Sequence, residues 1–250
     1  MINNICKFFA AAACCTALIM FGCGKDGASP TGSGDGVGGS MARFATVGQY
    51  LYAVDENSLK VFDLANPQQP QLVNTANLGF GIETIFPRDS ATIFIGSRTD
   101  FFMYSIRNPR NPERVVQVRH FRANDPVVAN NTHAFVTLRA GLNRGGVNEL
   151  QVYDIADIAN TSLLKRYPMA GPYGLGLKDS TLYVCDNDTL KVYNAADPLN
   201  LQKKKFYNIK SYDVIPLAKN ILVIGSDGLY QYKDDKDSLS LLSRIPVSAN

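Results

Sequence analysis

The chain has 250 residues, 46% of them hydrophobic, and a formal net charge of +3. That length admits one large domain or two small ones. The basic runs "KKK" at 203–205 and "RNPRNPER" at 107–114 are set among acids or on turns, so no basic stripe marks a nucleic-acid surface.

The first element is apolar. Lys7 is the one charge among residues 1–7, and residues 8–21 follow as an uncharged, mostly apolar run. The run is shorter than the roughly twenty residues a helix needs to cross a bilayer. A basic start, a short apolar stretch and small residues before a cut describe an export signal over residues 1–22. The stretch ends "LIMFGCG", with Cys23 directly after Gly22. This resembles the lipobox of bacterial lipoproteins, with Met20 where leucine is usual. The resemblance implies that the Cys23 thiol receives a lipid and becomes the mature N-terminus. The protein would then be tied to a membrane of the cell envelope, with the outer membrane and its exposed surface as the expected address. The alternative is an ordinary secreted protein cut near Gly22.

Cys6, Cys14 and Cys15 would leave with the signal, so Cys185 is the one unmodified cysteine of the mature chain. An exported protein without an internal disulfide must be held by its own core, which asks for a large folded part. Cys185 lies in the strand-like "TLYVCD" and reads as a small buried apolar residue. Residues 24–40 contain seven glycines and bury too little apolar surface to order themselves, so they read as a tether. Its reach is on the order of 20–25 Å. The domain map is therefore a signal at 1–22, a lipidated cysteine and linker at 23–40, and a folded region at 41–250.

Within 41–250 one pattern returns five times. Segments of one shape begin at Leu59 (LKVFDL), Phe101 (FFMYSI), Leu150 (LQVYDI), Leu190 (LKVYNA) and Leu229 (LYQYKD). An apolar run precedes each, a turn and a third run follow, and a fourth run leads into the next unit. The runs are short, rich in Val, Ile, Tyr and Phe, and punctuated by Asp, Asn, Gly and Pro, which marks strands. Four strands in each of five units, with a period near 41 residues, predict an all-β fold, a five-bladed β-propeller. An open stack of hairpins, or a six-bladed ring completed by a partner, are the alternatives.

The turn after the repeated segment is distinctive: "DLANPQQP", "IRNPRNP", "NAADPLNL". Asp or Asn bonds back to the turn's own amides, and Pro fixes φ without offering a donor. An L-x-V-x-D strand followed by this turn resembles the LVIVD repeat family of mostly exported bacterial proteins, which are expected to be propellers. The match is good in units 1, 2 and 4, fair in unit 3, where "DIADIANTS" lacks both prolines, and poor in unit 5. The family implies the fold and no activity.

Propeller loops that enter the innermost strands share one face with those joining second to third strands, and that face is the usual place for binding. The residues expected around the channel there are Arg43, Glu83, Thr84, Asn124, Asp125, Tyr173, Tyr212 and Asp213. They serve a ligand or merely cap strand starts around a water-filled axis. Four joining loops are tight, and the third, "RAGLNRGGVNE" at 139–149, is long. Arg139, Asn143, Arg144 and Glu149 on it, with Arg43, Tyr173 and Tyr212, form the predicted partner surface, unless the loop is a neutral insertion.

Enzyme signals are thin. His120 and His133 lack partners at metal-ligand spacing, and "DNDT" (186–189) and "DDKD" (234–237) lack the glycine and glutamate of a calcium loop, so neither a metal nor a cofactor is expected. Glu83, Asp125 and Asp213 offer carboxylates for glycoside hydrolysis, which needs two about 5–10 Å apart. The expectation is a lipid-anchored, non-catalytic binding or scaffold module for another envelope protein. Its rival is a glycan-binding or glycan-cleaving propeller.

Overall fold

The repeated short runs form twenty strands among the described residues of the computed structural model, which are 38–119, 126–140, 146–235 and 238–247. The predicted signal, Cys23, His120, Asn124, Asp125, Asn143 and Arg144 lie outside them. Blade 1 is β1 (Phe44–Val47), β2 (Tyr50–Val54), β3 (Ser58–Asp63) and β4 (Gln71–Asn77). Blade 2 is β5 (Ile82–Pro87), β6 (Thr92–Ser97), β7 (Asp100–Ser105) and β8 (Glu113–Arg119). Blade 3 is β9 (Val127–Ala129), β10 (His133–Leu138), β11 (Glu149–Asp154) and β12 (Ser162–Pro168). Blade 4 is β13 (Pro172–Lys178), β14 (Thr181–Asp186), β15 (Thr189–Asn194) and β16 (Gln202–Tyr207). Blade 5 is β17 (Ser211–Pro216), β18 (Asn220–Gly225), β19 (Gly228–Asp235) and β20 (Ser238–Pro246).

Every blade is an antiparallel meander in chain order, and first strands of successive blades touch one another, which makes them the inner ring. The architecture is the five-bladed β-propeller that the repeat predicts. In each blade the register slips by one residue between third and fourth strands, at Val61/Phe62, Met103/Tyr104, Val152/Tyr153, Val192/Tyr193 and Gln231/Tyr232. A bulge repeated at one place bends and twists each outer edge in the same way.

The turns obey their chemistry. Asp63 Oδ1 accepts from the amide of Ala65 at 2.9 Å, Asp154 from Ala156 at 2.9 Å and Asn194 from Ala196 at 3.0 Å. Blade 3 manages without proline: Asp157 accepts from Ala159 and closes a 3-10 turn, Ile158–Asn160.

Four apolar clusters seal the blades pairwise. Blades 1 and 2 share Tyr52, Leu59, Val61, Ile85 and Ile95; blades 2 and 3 share Phe94, Phe101, Met103 and Val136. Blades 3 and 4 share Phe135, Val152, Leu182 and Val184; blades 4 and 5 share Tyr183, Cys185, Val214, Ile221 and Val223. Each such buried side chain contributes about 1.5–3 kcal/mol to holding successive blades together. Among the described residues no cluster of this kind joins blade 5 to blade 1.

The folded part begins before Met41. Ser40 is 1% exposed, and an added Cβ on Gly39 would lie 2.0 Å from Asp213 Oδ2. The glycines at 38 and 39, read as tether, serve close approach instead.

Candidate functional site

The face on which the inner strands begin carries a cluster built by blades 3, 4 and 5. Arg139, just past β10, lays its guanidinium 3.5 Å from the ring centroid of Tyr173, the second residue of β13. Tyr173 meets Tyr212 of β17 edge-on, at 5.3 Å and 77°. The Arg139 Nη1 donates to the Gly171 carbonyl at 3.3 Å, and Thr137 Oγ1 donates to the Tyr173 carbonyl at 2.6 Å. A guanidinium held flat in this way suits a carboxylate or another planar acceptor.

The cluster rests on a residue that reads in sequence as an ordinary turn. Asp186 is 2% exposed; it accepts from the amides of Ala170 and Gly171, at 3.0 and 2.6 Å, and pairs with Lys191 at 2.5 Å. Burial pushes its carboxyl up, but Lys191 and the two amides outweigh burial and hold it below the usual range. The chain crossing from blade 3 to blade 4 is thereby fixed under Arg139. The long loop is fixed at its neck: Asn148 accepts from the Ala140 amide at 2.9 Å and donates to the Ala170 carbonyl at 3.1 Å.

Of the predicted partner residues, the structure thus brings Arg139, Tyr173 and Tyr212 together. Arg43 is exposed in blade 1, at the start of its inner strand. Glu149 goes elsewhere. It accepts from Gln151 at 2.5 Å, pairs with Arg166 at 3.4 Å and lines a surface hollow with Val118, Arg119 and Leu163, on the side of blade 3 facing blade 2.

Of the three predicted catalytic carboxylates, the two among the described residues are engaged within the chain. Glu83 pairs with Arg98 at 2.9 Å. Asp213 is 4% exposed and accepts from Ser40 Oγ at 3.0 Å, the Met41 amide at 3.1 Å and its own neighbour Val214 at 2.9 Å. Asp213 stands in the wall of a cleft between blades 5 and 1, with residues 39–41 packed over it and its oxygens taken up by these donors.

A second feature had no signal in the sequence. Between blades 5 and 1 lies a cleft of about 520 Å³ lined by Met41, Phe44, Thr46, Tyr212, Ile215 and Ile224. Phe44 is 62% and Ile224 39% exposed, and apolar exposure continues along the outer edge of blade 5 through Leu241, Leu242 and Ile245. The opposite end of the channel holds a smaller cavity of about 200 Å³, walled by Val47, Phe86, Val128, Leu177 and Pro216, with Arg88 paired to Asp89 among its lining residues.

No family model and none of the curated proteins matches this chain. Among solved structures, a protein from Lactobacillus plantarum is similar at a TM-score of 0.64 and 14% identity, over 78% of this chain and 67% of that one. The periplasmic gluconolactonase of Pseudomonas aeruginosa is similar at 0.58 and 14%, over 80% and 69%. BamB of Moraxella catarrhalis is similar at 0.53 and 10%, over 82% and 63%. This chain spans about two thirds of the length of these neighbours. At such identities the likeness is one of fold alone. No helix among the described residues is long and apolar enough to cross a membrane.

Proposed function

We propose that this chain is a non-catalytic protein-binding module of the bacterial cell envelope, held there by a lipid on Cys23 and belonging with the LVIVD-repeat proteins. One observation carries the binding reading: the apolar surface that runs from Phe44 and Met41 across the cleft to Ile224 and Ile245. Four of the five blade junctions bury such surfaces completely, whereas this one leaves them open to solvent, and contiguous exposed apolar surface marks an interaction site. The partner is another envelope protein that places apolar side chains in the cleft. The Arg139–Tyr173–Tyr212 cluster supplies a polar contact beside it.

The test is mild crosslinking in native membranes followed by purification of the wild-type chain and of a Phe44→Ser/Ile224→Ser variant. A stoichiometric partner recovered with the wild type and lost from the variant supports the reading. A partner recovered equally with both moves the contact away from the cleft, and recovery of none from the wild type overturns binding.

A further inference from the structure

We infer that residues 38–41 are a clasp that fastens the ring across the junction of blades 4, 5 and 1, and that acid tightens it. Ring propellers need some device that joins last blade to first, and here each blade is built from its own four consecutive strands, so no strand is shared among the described residues. Instead the chain just ahead of β1 enters the inner ring. Ser40 Oγ donates to Asp213 Oδ1 in blade 5 at 3.0 Å and accepts from the Leu175 amide in blade 4 at 2.8 Å. The Met41 amide donates to Asp213 Oδ2 at 3.1 Å, and Ala42 continues into blade 1, its carbonyl accepting from Ile85 at 2.8 Å. One serine therefore links three blades.

The site is shaped for that contact from two sides. An added Cβ on Gly39 would meet Asp213 Oδ2 at 2.0 Å, and one on Gly174 of β13 would meet Oδ1 at 2.2 Å. Two glycines from distant parts of the chain admit one carboxylate. The clasp is also a partition. Gly38 and Ser40 line the 200 Å³ channel cavity, while Gly38, Gly39 and Met41 line the 520 Å³ cleft. Releasing it would join the two spaces. The clasp belongs to the fold itself and operates whether or not the cleft binds a protein.

The pH dependence follows from what Asp213 lacks. Its hydrogen-bond partners are Ser40, Met41 and Val214, all neutral. From β14, Cys185 faces it, a thiol that burial keeps protonated, and from β13 comes Gly174, which carries no charge. A buried carboxylate without a cation prefers its proton, because desolvation penalises the charge. Here desolvation outweighs the donors and raises the group from 3.8 to about 6. A raised value in the fastened state means that stability is complete below the free carboxyl's range. It declines as pH rises toward 6 and is level above that.

The experiment is hydrogen exchange on the full chain at about pH 5 and about pH 7.5, corrected for intrinsic rates and read at the amides of Met41 and Leu175. Protection at both is expected to be about tenfold higher at the lower pH, with Val184 in β14 unchanged as the control. In Asp213→Asn, Leu175 should keep its protection at both pH values, while Met41, now facing an amide NH₂, loses its own. Gly39→Ala leaves Asp213 intact and should free both amides at either pH. Equal wild-type protection at the two pH values overturns the acid dependence. Unprotected Met41 and Leu175 at both pH values overturn the clasp.

Discussion

Blade 5 has two flanks of nearly the same composition and opposite fates. One, with Val214, Ile221, Val223 and Tyr232, is buried against blade 4. The other, with Ile215, Leu222, Ile224, Leu229 and Ile245, keeps every side chain at least partly exposed. Blade 1 mirrors it: Ala45, Tyr52 and Val61 are sealed against blade 2, whereas Phe44, Leu51, Phe62 and Leu72 on the reverse side are half-buried or exposed. Alternation along a strand decides which face a residue joins but not whether that face finds a neighbour. Four junctions are closed by apolar packing, and the fifth is bridged by a few hydrogen bonds at Ser40 and Asp213.

Two of the buried carboxylates, Asp186 and Asp213, differ in the same spirit. Asp186 has Lys191, and Asp213 has only neutral donors. Removing the lysine has the largest expected effect. Lys191→Ala leaves a charge buried without a cation, and breaking a buried pair costs about 3–5 kcal/mol, read as the loss of urea-unfolding free energy. Because Asp186 holds the crossing beneath Arg139, the Arg139–Tyr173 stack should loosen with it. A cost below about 1 kcal/mol would mean that the pair behaves as a surface one.

The next test compares two isoleucines on one strand. Ile221→Ala opens a hole in the sealed flank and should cost about 2–5 kcal/mol. Ile224→Ala, three residues on and facing the cleft, should cost under about 1 kcal/mol. Equal costs in denaturant melts would show that both flanks are packed in solution and would remove the distinction.

A smaller effect separates the carboxylates by pH. Asp213 is raised to about 6, so lowering the pH from 7 to 5 should stabilise the wild type by about 1 kcal/mol, and Asp213→Asn should abolish that gain. Asp186 is lowered, so its contribution is present above the ordinary carboxyl range and is lost only as the pH falls below it. A wild type that loses stability steadily from pH 7 to 5 would mean that ionised Asp213 is the favoured form, contrary to its burial.

The blades were legible because the signal was local and repeated: strand composition, the Asx turn and the period each pointed to one unit. Arg139, Tyr173 and Tyr212 were legible too, since strand position places them on one mouth. Glu149 was misplaced because a side chain at a strand start can leave by either face, and Gln151 and Arg166 hold it on the other. Ser40 and Gly39 were unreadable for a different reason. Glycine signals a flexible tether and a tight approach equally well, and only the partner at the other end of the chain, Asp213, tells them apart. Asp186 was hidden similarly, by lying in a plausible turn.

Phe44 gives the smallest expected effect on stability and the sharpest division between the two kinds of junction. A phenylalanine at the start of an inner strand belongs, by composition, in a core, where its loss would cost about 3–5 kcal/mol. Here its side chain is at the cleft and 62% exposed. Phe44→Ser should therefore shift the folding free energy by no more than about 0.5 kcal/mol, and it should lower retention on a hydrophobic-interaction column. A loss above about 2 kcal/mol would mean that blades 5 and 1 close over Phe44 in solution, in which case the apolar surface is a fifth sealed junction and not an exposed one. A neutral outcome leaves a large aromatic facing water at a junction where the described residues form no buried core, which is the arrangement expected of a surface that a partner covers.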